Sequence, residues 1–242
     1  MALKAILFDL DGTLLPLKQD EFLKAYFTRL TAYMAQRGFE PKKLYETVYA
    51  GCVDMLKNDG ANTNEQVFWD RMCAVYGESV LNTKPVFNDF YKTDFISLKE
   101  FSNLNPEAKE LITLLKSMGL RVILATNPVF PAIATEARIG WAGLEKTDFE
   151  IITAYENSRF CKPYAEYYTD ILYGASLNPE ECLMVGNDVD DDMPAQNTGM
   201  KVFLLTDCLI NRKEKDISSF EKGNFEKLKE YIEKLVEKPQ KM

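Results

Sequence analysis

Four short apolar runs, distributed along the whole chain, most limit how it can fold. They occupy residues 5–8, 122–125, 182–185 and 202–205, and a weaker fifth run covers 151–154. Strands that are apolar on both faces are typical of a parallel sheet with helices on both sides, because each face then packs against helices. Amphipathic segments at 106–118 and 163–173 lie between the later runs and can supply these helices. The sequence therefore predicts an α/β fold built on a parallel sheet.

Residues 18–100 interrupt this alternation of strands and helices. They contain no comparable apolar run, and their pattern predicts helices near 21–37, 41–57, 64–76 and 86–100. A block of four helices can bury its apolar stripes as a small bundle. We therefore expect an inserted all-α cap at 18–100, with residues 1–17 and 101–242 forming the α/β core domain.

The composition excludes several classes of function. The chain of 242 residues has no histidine, which excludes imidazole bases, Ser-His-Asp and Cys-His sites, and zinc sites with His ligands. A formal net charge of −8 opposes binding to nucleic-acid phosphates, which depends on clustered Lys and Arg. Five scattered cysteines form no C-x-x-C pair, and no apolar stretch approaches the roughly 20 residues that span a bilayer. We expect a cytoplasmic protein with reduced thiols, a monomer or a homodimer, without nucleic-acid or membrane partners.

The first apolar run leads two carboxylates into a glycine turn. Residues 6–13 read Ile-Leu-Phe-Asp-Leu-Asp-Gly-Thr, which places Asp9 and Asp11 two positions apart. Side chains at this spacing near a strand end can point the same way. Two neighbouring carboxylates repel each other, so the pair implies a divalent metal, a shared proton, or both. A plain Asp-Gly turn is the alternative, but Asp-x-Asp-Gly-Thr is expected by chance only on the order of 0.01 times in such a chain.

With this motif the chain resembles the haloacid dehalogenase-like (HAD) hydrolase superfamily, and three further motifs follow in that family's order. Residues 124–127, Leu-Ala-Thr-Asn, resemble the second motif, a strand that ends in Thr or Ser. Lys162-Pro163 resembles the third, a Lys at a helix start, and residues 186–192, Gly-Asn-Asp-Val-Asp-Asp-Asp, resemble the fourth. Each later motif is weak alone, and their order carries the resemblance. It implies a Rossmann-like core with a cap, as in the phosphoglycolate phosphatase and β-phosphoglucomutase branch.

The resemblance implies a Mg²⁺-dependent phosphatase that hydrolyses a small phosphorylated metabolite through an aspartyl-phosphate intermediate. Asp9 would be the nucleophile, while Asp11 would protonate the leaving oxygen and then deprotonate the attacking water. Thr126, Asn127 and Lys162 would hold the phosphoryl oxygens, with Thr126 and Lys162 counted among the catalytic residues. For this chemistry the nucleophile must be ionised and the acid must be protonated.

The metal ligands implied by the resemblance include the side chain of Asp9, the backbone carbonyl of Asp11 and an oxygen from the fourth motif. The commoner family pattern has an Asp directly after the Gly, whereas this chain has Asn187 there. An amide oxygen can ligate Mg²⁺ but brings no charge. Either Asp188 takes the ligand role, which we favour, or metal binding is weaker. Asp192 would orient the third-motif Lys or a metal-bound water.

Two other functions compete with a phosphatase. A phosphosugar mutase of the same fold would retain the phosphoryl group, and a catalytically impaired binding or regulatory protein would have lost metal affinity through Asn187. Asp11 argues against a dehalogenase, because displacing a halide needs no acid and the family's dehalogenases lack this second Asp. By residue type alone, the cap offers four candidate substrate contacts: Tyr26, Arg29, Trp69 and Arg71. Bundle packing or surface exposure is the commoner role for such residues.

Overall fold

The chain folds around a six-stranded parallel sheet in a computed structural model that describes residues 2–237. The strands are β1 Ala5–Phe8, β2 Arg121–Leu124, β3 Ile151–Ile152, β4 Cys182–Gly186, β5 Lys201–Leu205 and β6 Glu221–Gly223. Their order in the sheet is β3-β2-β1-β4-β5-β6, and every neighbouring pair is parallel. All five predicted strands are therefore confirmed. Strand β6 is an additional edge strand that the apolar pattern did not predict.

Alternate residues of β1 face two opposite layers of helices. The layers are built from α5 Pro106–Ser117, α6 Ala132–Trp141, α7 Ala165–Ala175 and α8 Phe225–Glu237. Ile6 and Phe8 join a core that includes α5, α6 and α8, whereas Ala5 and Leu7 join a core that includes α7. This alternation confirms the Rossmann-like α/β fold with helices on both faces. Helix α6 was not among the predicted elements.

The register of the sheet brings the sequence motifs to one edge. Phe8, the last residue of β1, pairs with Leu124 of β2 and with Val185 of β4. Because the three strands are parallel, their carboxyl ends lie side by side, and ligands of open α/β sheets bind at this edge. The first, second and fourth motifs therefore meet there.

Four helices lie between β1 and β2, where the sequence predicts the cap. They are α1 Gln19–Ala35, α2 Pro41–Leu56, α3 Asn64–Tyr76 and α4 Lys84–Lys92. The prediction of one helix over 86–100 was wrong, because α4 ends at Lys92 and a 3₁₀ helix, Asp94–Phe101, follows. At the junction the Thr93 hydroxyl donates to the Asp89 carbonyl at 2.7 Å. The Thr93 backbone there, with φ −117° and ψ −85°, leaves the α-helical region.

The helical block shares one continuous hydrophobic core with the sheet. Phe95 from the block stacks on Trp141 of α6, with ring centroids 5.3 Å apart. At the other side of the block, Asn64 is fully buried, and its backbone N–H donates to the Ser158 carbonyl at 2.8 Å. The apolar stripes of the block are therefore buried partly against the core and not only within a bundle. No helix in the described part of the chain is both long and apolar enough to cross a membrane.

Candidate active site

A cavity of about 170 Å³ opens at the carboxyl edge of β1, β2 and β4. Its lining includes all eight predicted site residues: Asp9, Asp11, Thr126, Asn127, Lys162, Asn187, Asp188 and Asp192. These residues come from four segments that are up to 183 positions apart in the sequence, since Asp9 is the first and Asp192 the last. The structure thus brings the predicted set together, while the role of each residue stays a prediction.

Lys162 lies between two carboxylates at the floor of the cavity. Its Nζ donates to Asp9 Oδ1 at 2.7 Å and to Asp192 Oδ1 at 2.6 Å. The Lys162 side chain is only 1% exposed. Burial by itself lowers the pKa of Lys162, but the charges of Asp192 and Asp9 outweigh it and hold the pKa well above its ordinary value. Lys162 therefore carries a positive charge beside Asp9.

Asp192 is held in place by its own loop and by a glycine. Its Oδ2 accepts a hydrogen bond from the Asp188 backbone N–H at 2.9 Å. A Cβ atom at Gly186 would lie 2.1 Å from the same oxygen, which is closer than any non-bonded contact allows. The Gly that opens the fourth motif is therefore required because the Asp192 carboxylate packs directly against its backbone.

Asn187 connects the fourth motif to the first. Its Oδ1 accepts a hydrogen bond from the Thr13 hydroxyl at 2.9 Å, and its Nδ2 donates to the Cys208 carbonyl at 2.7 Å. The side chain packs against Gly12, whose φ of +86° favours glycine. Both ends of the Asn187 amide thus already have partners, and its oxygen keeps one further lone pair.

Asp188 and Asp191 of the fourth motif have different hydrogen-bond partners. Asp188 Oδ1 accepts hydrogen bonds from the backbone N–H groups of Asp190 at 2.8 Å and Asp191 at 3.1 Å. Its Oδ2 lies 3.5 Å from Arg212 Nη1. Asp191, which the sequence analysis missed, also lines the cavity, and its Oδ2 accepts only a long 3.4 Å bond from Asn127. Burial, and then the nearby Asp188 charge, raise the pKa of Asp191.

Arg138 of α6 is the second site residue that the sequence analysis missed. It is 1% exposed, lines the cavity, and its Nη1 donates to Asp11 Oδ2. Burial raises the pKa of Asp11 above its ordinary value, and the Arg138 charge opposes this shift without reversing it. The sequence gave no motif for Arg138, because the nearest recognisable motif ends at Asn127, eleven positions earlier.

A sequence model of the haloacid dehalogenase-like hydrolase family matches residues 3–197. The chain belongs to this family. No curated protein matches the sequence of this HAD-like hydrolase. Several solved structures share its fold at low sequence identity.

One similar structure is a predicted phosphoglycolate phosphatase from Haemophilus somnus 129PT, with 20% identity and a TM-score of 0.58 over 95% of this chain and 97% of that one. YfnB from Bacillus subtilis, described as a HAD-hydrolase bound to magnesium, has 20% identity and a TM-score of 0.56 over 96% and 100% of the two chains. A 2-haloacid dehalogenase from Pseudomonas syringae pv. tomato DC3000 has 17% identity and a TM-score of 0.63 over 96% and 99%. At these identities the likeness concerns the fold alone.

The charges around the cavity of this HAD-like hydrolase fit a divalent cation. Two cationic side chains, Lys162 and Arg138, line it together with five carboxylates: Asp9, Asp11, Asp188, Asp191 and Asp192. Within residues 2–237, the buried Oδ1 atoms of Asp11 and Asn127 have no hydrogen-bond partner. Such an excess of negative charge is what a divalent cation neutralises.

The described residues contain no group of three or more Asp, Glu, Cys or His side chains placed to hold a metal ion. The ligand set that the resemblance implies does not need such a group. It combines one carboxylate of the first motif, one backbone carbonyl and one oxygen of the fourth motif, and water completes the shell of a Mg²⁺ ion.

The cavity lining also includes apolar side chains: Leu17, Phe22, Leu23, Val129, Phe130 and Ile210. Three lining residues, Gln19, Phe22 and Leu23, belong to α1 of the helical block. The four cap candidates named from residue type are Tyr26, Arg29, Trp69 and Arg71, and none of them lines this cavity.

The cap candidates have packing or surface roles instead. Tyr26 is buried, and its hydroxyl lies 2.9 Å from that of Tyr91. Arg71 Nε donates to Asp54 Oδ2 at 2.6 Å, and Arg29 pairs with Glu100. The interpretation of these residues as bundle or surface residues is the one that the contacts support.

Proposed function

We propose that this HAD-like hydrolase is a Mg²⁺-dependent phosphatase that acts on a small phosphorylated metabolite through an aspartyl-phosphate intermediate. The single observation that carries the proposal is the ion pair at the candidate nucleophile: the Lys162 ammonium lies 2.7 Å from Asp9 Oδ1. A phosphomonoester resists attack because its oxygens are anionic, so a nucleophile needs a positive charge beside it.

The proposed reaction has two steps. In the first, Asp9 attacks phosphorus, the bond from phosphorus to the leaving oxygen breaks, and Asp11 donates a proton to that oxygen. In the second, Asp11 takes a proton from water as the water oxygen attacks phosphorus, and the bond to Asp9 breaks. The second step releases free phosphate and leaves Asp9 ionised and Asp11 protonated, as at the start. Lys162, Thr126 and Asn127 line the space where the phosphoryl oxygens would lie.

Bound Mg²⁺ would supply positive charge that neutralises the phosphoryl oxygens. The residues that would hold it are Asp9 through its carboxylate, Asp11 through its backbone carbonyl, and the fourth motif through one oxygen. Asp188 stays our prediction for that oxygen, with Asn187 as the alternative, and the position of Asp191 on the cavity wall makes it a third candidate.

Calorimetric titration of the protein with MgCl₂ tests the metal assignment. We expect binding near physiological concentration, weakened in an Asp9→Asn variant, because one charged ligand is lost. Comparing Asp188→Asn with Asp191→Asn then identifies the charged ligand of the fourth motif. Absence of Mg²⁺ binding to the wild-type protein would favour the alternative of a catalytically impaired binding or regulatory protein.

Replacing the nucleophile tests the reaction itself. An Asp9→Asn variant is expected to keep its fold by circular dichroism and to lose turnover of 4-nitrophenyl phosphate, and retained turnover would refute the assignment. A panel of phosphorylated metabolites assayed with Mg²⁺ would identify the substrate. A phosphosugar mutase would convert a hexose phosphate to an isomer, so release of free phosphate at the full rate of substrate loss excludes it.

The presence of Asp11 in the cavity favours a phosphatase over a dehalogenase. A leaving alcohol needs a proton, whereas a leaving halide does not. We also propose a cytoplasmic location, which is supported by five cysteines that are all unpaired. Sedimentation equilibrium would decide between a monomer and a homodimer, the two states that the sequence leaves open.

A further inference from the structure

We propose that Arg138 is the positioning residue for Asp11: it holds one oxygen of the carboxyl group so that the other stays free to pair with the leaving group. This inference rests on the proposed phosphatase function, in which Asp11 is the proton donor. No sequence motif marks Arg138, and the assignment comes from its contacts alone.

Arg138 is itself fixed in place from several directions. Its Nε donates to the Ala134 carbonyl at 3.3 Å, and its Nη2 donates to the Thr135 hydroxyl at 3.3 Å. The guanidinium carbon lies 4.5 Å from the ring centroid of Phe130. A planar guanidinium with two anchored nitrogens and a ring beneath it has little freedom to rotate. Its remaining terminal nitrogen, Nη1, therefore points to Asp11 from a rigid base.

The two oxygens of Asp11 have different surroundings. Oδ2 accepts the hydrogen bond from Arg138, whereas Oδ1 is buried and has no hydrogen-bond partner among the described residues. Asp11 lines the cavity, and Oδ1 is its carboxyl oxygen with unused hydrogen-bonding capacity, so Oδ1 is the oxygen available to pair with a substrate atom. A buried carboxyl oxygen without a partner is costly, and a ligand that pairs with it removes the cost.

The chemistry of the guanidinium decides which oxygen can carry the proton. An arginine side chain has five N–H donors and no acceptor. The oxygen that it holds acts as an acceptor, which makes Oδ1 the favoured position for a proton on Asp11. Arg138 thus selects the oxygen as well as the orientation. A lysine ammonium at this position would lack the fork geometry and the ring contact that fix the direction.

Dependence on the leaving group distinguishes positioning from mere structural support. 2,4-Dinitrophenyl phosphate has a leaving group that departs without a proton, whereas phenyl phosphate, of similar shape, needs one. General acid catalysis contributes roughly 10²- to 10⁴-fold. We expect Arg138→Lys to lose at least about 10-fold more kcat/KM on phenyl phosphate than on 2,4-dinitrophenyl phosphate. An Asp11→Asn variant should show the largest difference between the kcat/KM losses on the two substrates. Adding Arg138→Lys to Asp11→Asn should not enlarge that difference further.

Equal losses on the two substrates in Arg138→Lys would overturn the proposal, because they would indicate a structural role only. The proposal would also be overturned if Arg138→Lys changed the substrate ratio of kcat/KM by the same factor in the Asp11→Asn background as in the wild-type protein. If Arg138→Lys does not fold, Thr135→Val removes one anchor of the guanidinium at similar volume. It should change the substrate ratio in the same direction by roughly 3-fold, and an unchanged ratio overturns the proposal as well.

The failure of the proposed function would look different. In that case the wild-type protein would hydrolyse neither aryl phosphate, or Asp9→Asn would retain the activity, and the positioning role would fall with it. A wild-type enzyme that depends on Asp9, combined with equal losses in Arg138→Lys, would leave the phosphatase function standing and refute only the role of Arg138.

Discussion

Lys162 makes the strongest prediction about the stability of the site. A Lys162→Met substitution removes two hydrogen bonds to carboxylates, with lengths of 2.7 Å and 2.6 Å. Hydrogen bonds to charged groups contribute roughly 1.5–3 kcal/mol each, so the pair contributes roughly 3–6 kcal/mol. Lys and Met lose similar side-chain entropy on burial, so that term cancels. We expect the free energy of unfolding to fall by about 3–5 kcal/mol, which is typical of a buried ion pair that loses one partner.

The matched control is Lys109→Met. Lys109 Nζ lies 2.7 Å from Asp148 Oδ2, the same length as the Lys162 bond to Asp9, but the Lys109 side chain is 43% exposed. Exposed pairs contribute about 0–1 kcal/mol, so the control should change stability little. Urea denaturation, followed by the fluorescence of Trp69 and Trp141, measures both variants. A loss of less than about 1 kcal/mol in Lys162→Met would refute the reasoning that burial makes this pair strong.

The same variant has a defined pH dependence. Because the folded state raises the pKa of Lys162 well above its ordinary 10.5, the contribution of Lys162 to stability is fully present below that pH. It is lost as the pH rises through the folded value. The stability difference between the wild-type protein and Lys162→Met should therefore not narrow between about pH 7 and pH 9, and should narrow only in strongly alkaline solution. A difference that already closes at pH 8 would contradict this assignment of the charge.

Three further predictions follow from other contacts. Gly186→Ala should lower the free energy of unfolding by about 1–3 kcal/mol, because its Cβ would lie 2.1 Å from Asp192. The control Gly174→Ala lies in helix α7, where a Cβ would meet nothing within 4 Å, and should raise the free energy of unfolding by roughly 0.5–1 kcal/mol. Equal effects in urea denaturation would contradict this contrast. Asn64→Ala should cost about 1–3 kcal/mol, because it leaves the Pro128 carbonyl without its 3.1 Å bond, and hydrogen exchange should accelerate at the start of α3. Removing divalent cations with EDTA should abolish phosphatase turnover and MgCl₂ should restore it, and turnover that persists in EDTA would exclude the metal dependence.

Most of the sheet could be predicted because its strands are apolar on both faces. The runs that became β1, β2, β4 and β5 are each buried in the structure, at least in part. Strand β6 could not be predicted in this way. It reads Glu-Lys-Gly and forms through backbone pairing with β5 at the edge of the sheet, where side chains need not be apolar. Apolar patterning detects strands that are covered on both faces and misses an edge strand like this one.

The site was predictable where its residues follow a strand end. Asp9 lies one residue after Phe8 and Thr126 two residues after Leu124, and these two residues pair across the sheet, so the fold places Asp9 and Thr126 together once the strands are parallel. Asp191 was harder to assign, because it stands in a run of three aspartates in which spacing alone does not separate a cavity residue from a surface one. Asp190, its neighbour in that run, pairs with Lys213 and Lys215 outside the cavity.

Helix α6 was missed for a reason that bears on its function. Its core-facing side includes Thr135 and Arg138, both 1% exposed, at positions where a helix packed on a sheet normally carries apolar residues. These two polar residues break the apolar periodicity that identifies a helix from sequence. They also share a hydrogen bond with each other, and Arg138 donates a further one to Asp11. The buried Arg138 therefore explains both why the helix was hard to recognise from sequence and how the predicted proton donor is contacted. Such a break in the apolar pattern is expected where a residue serves a functional site.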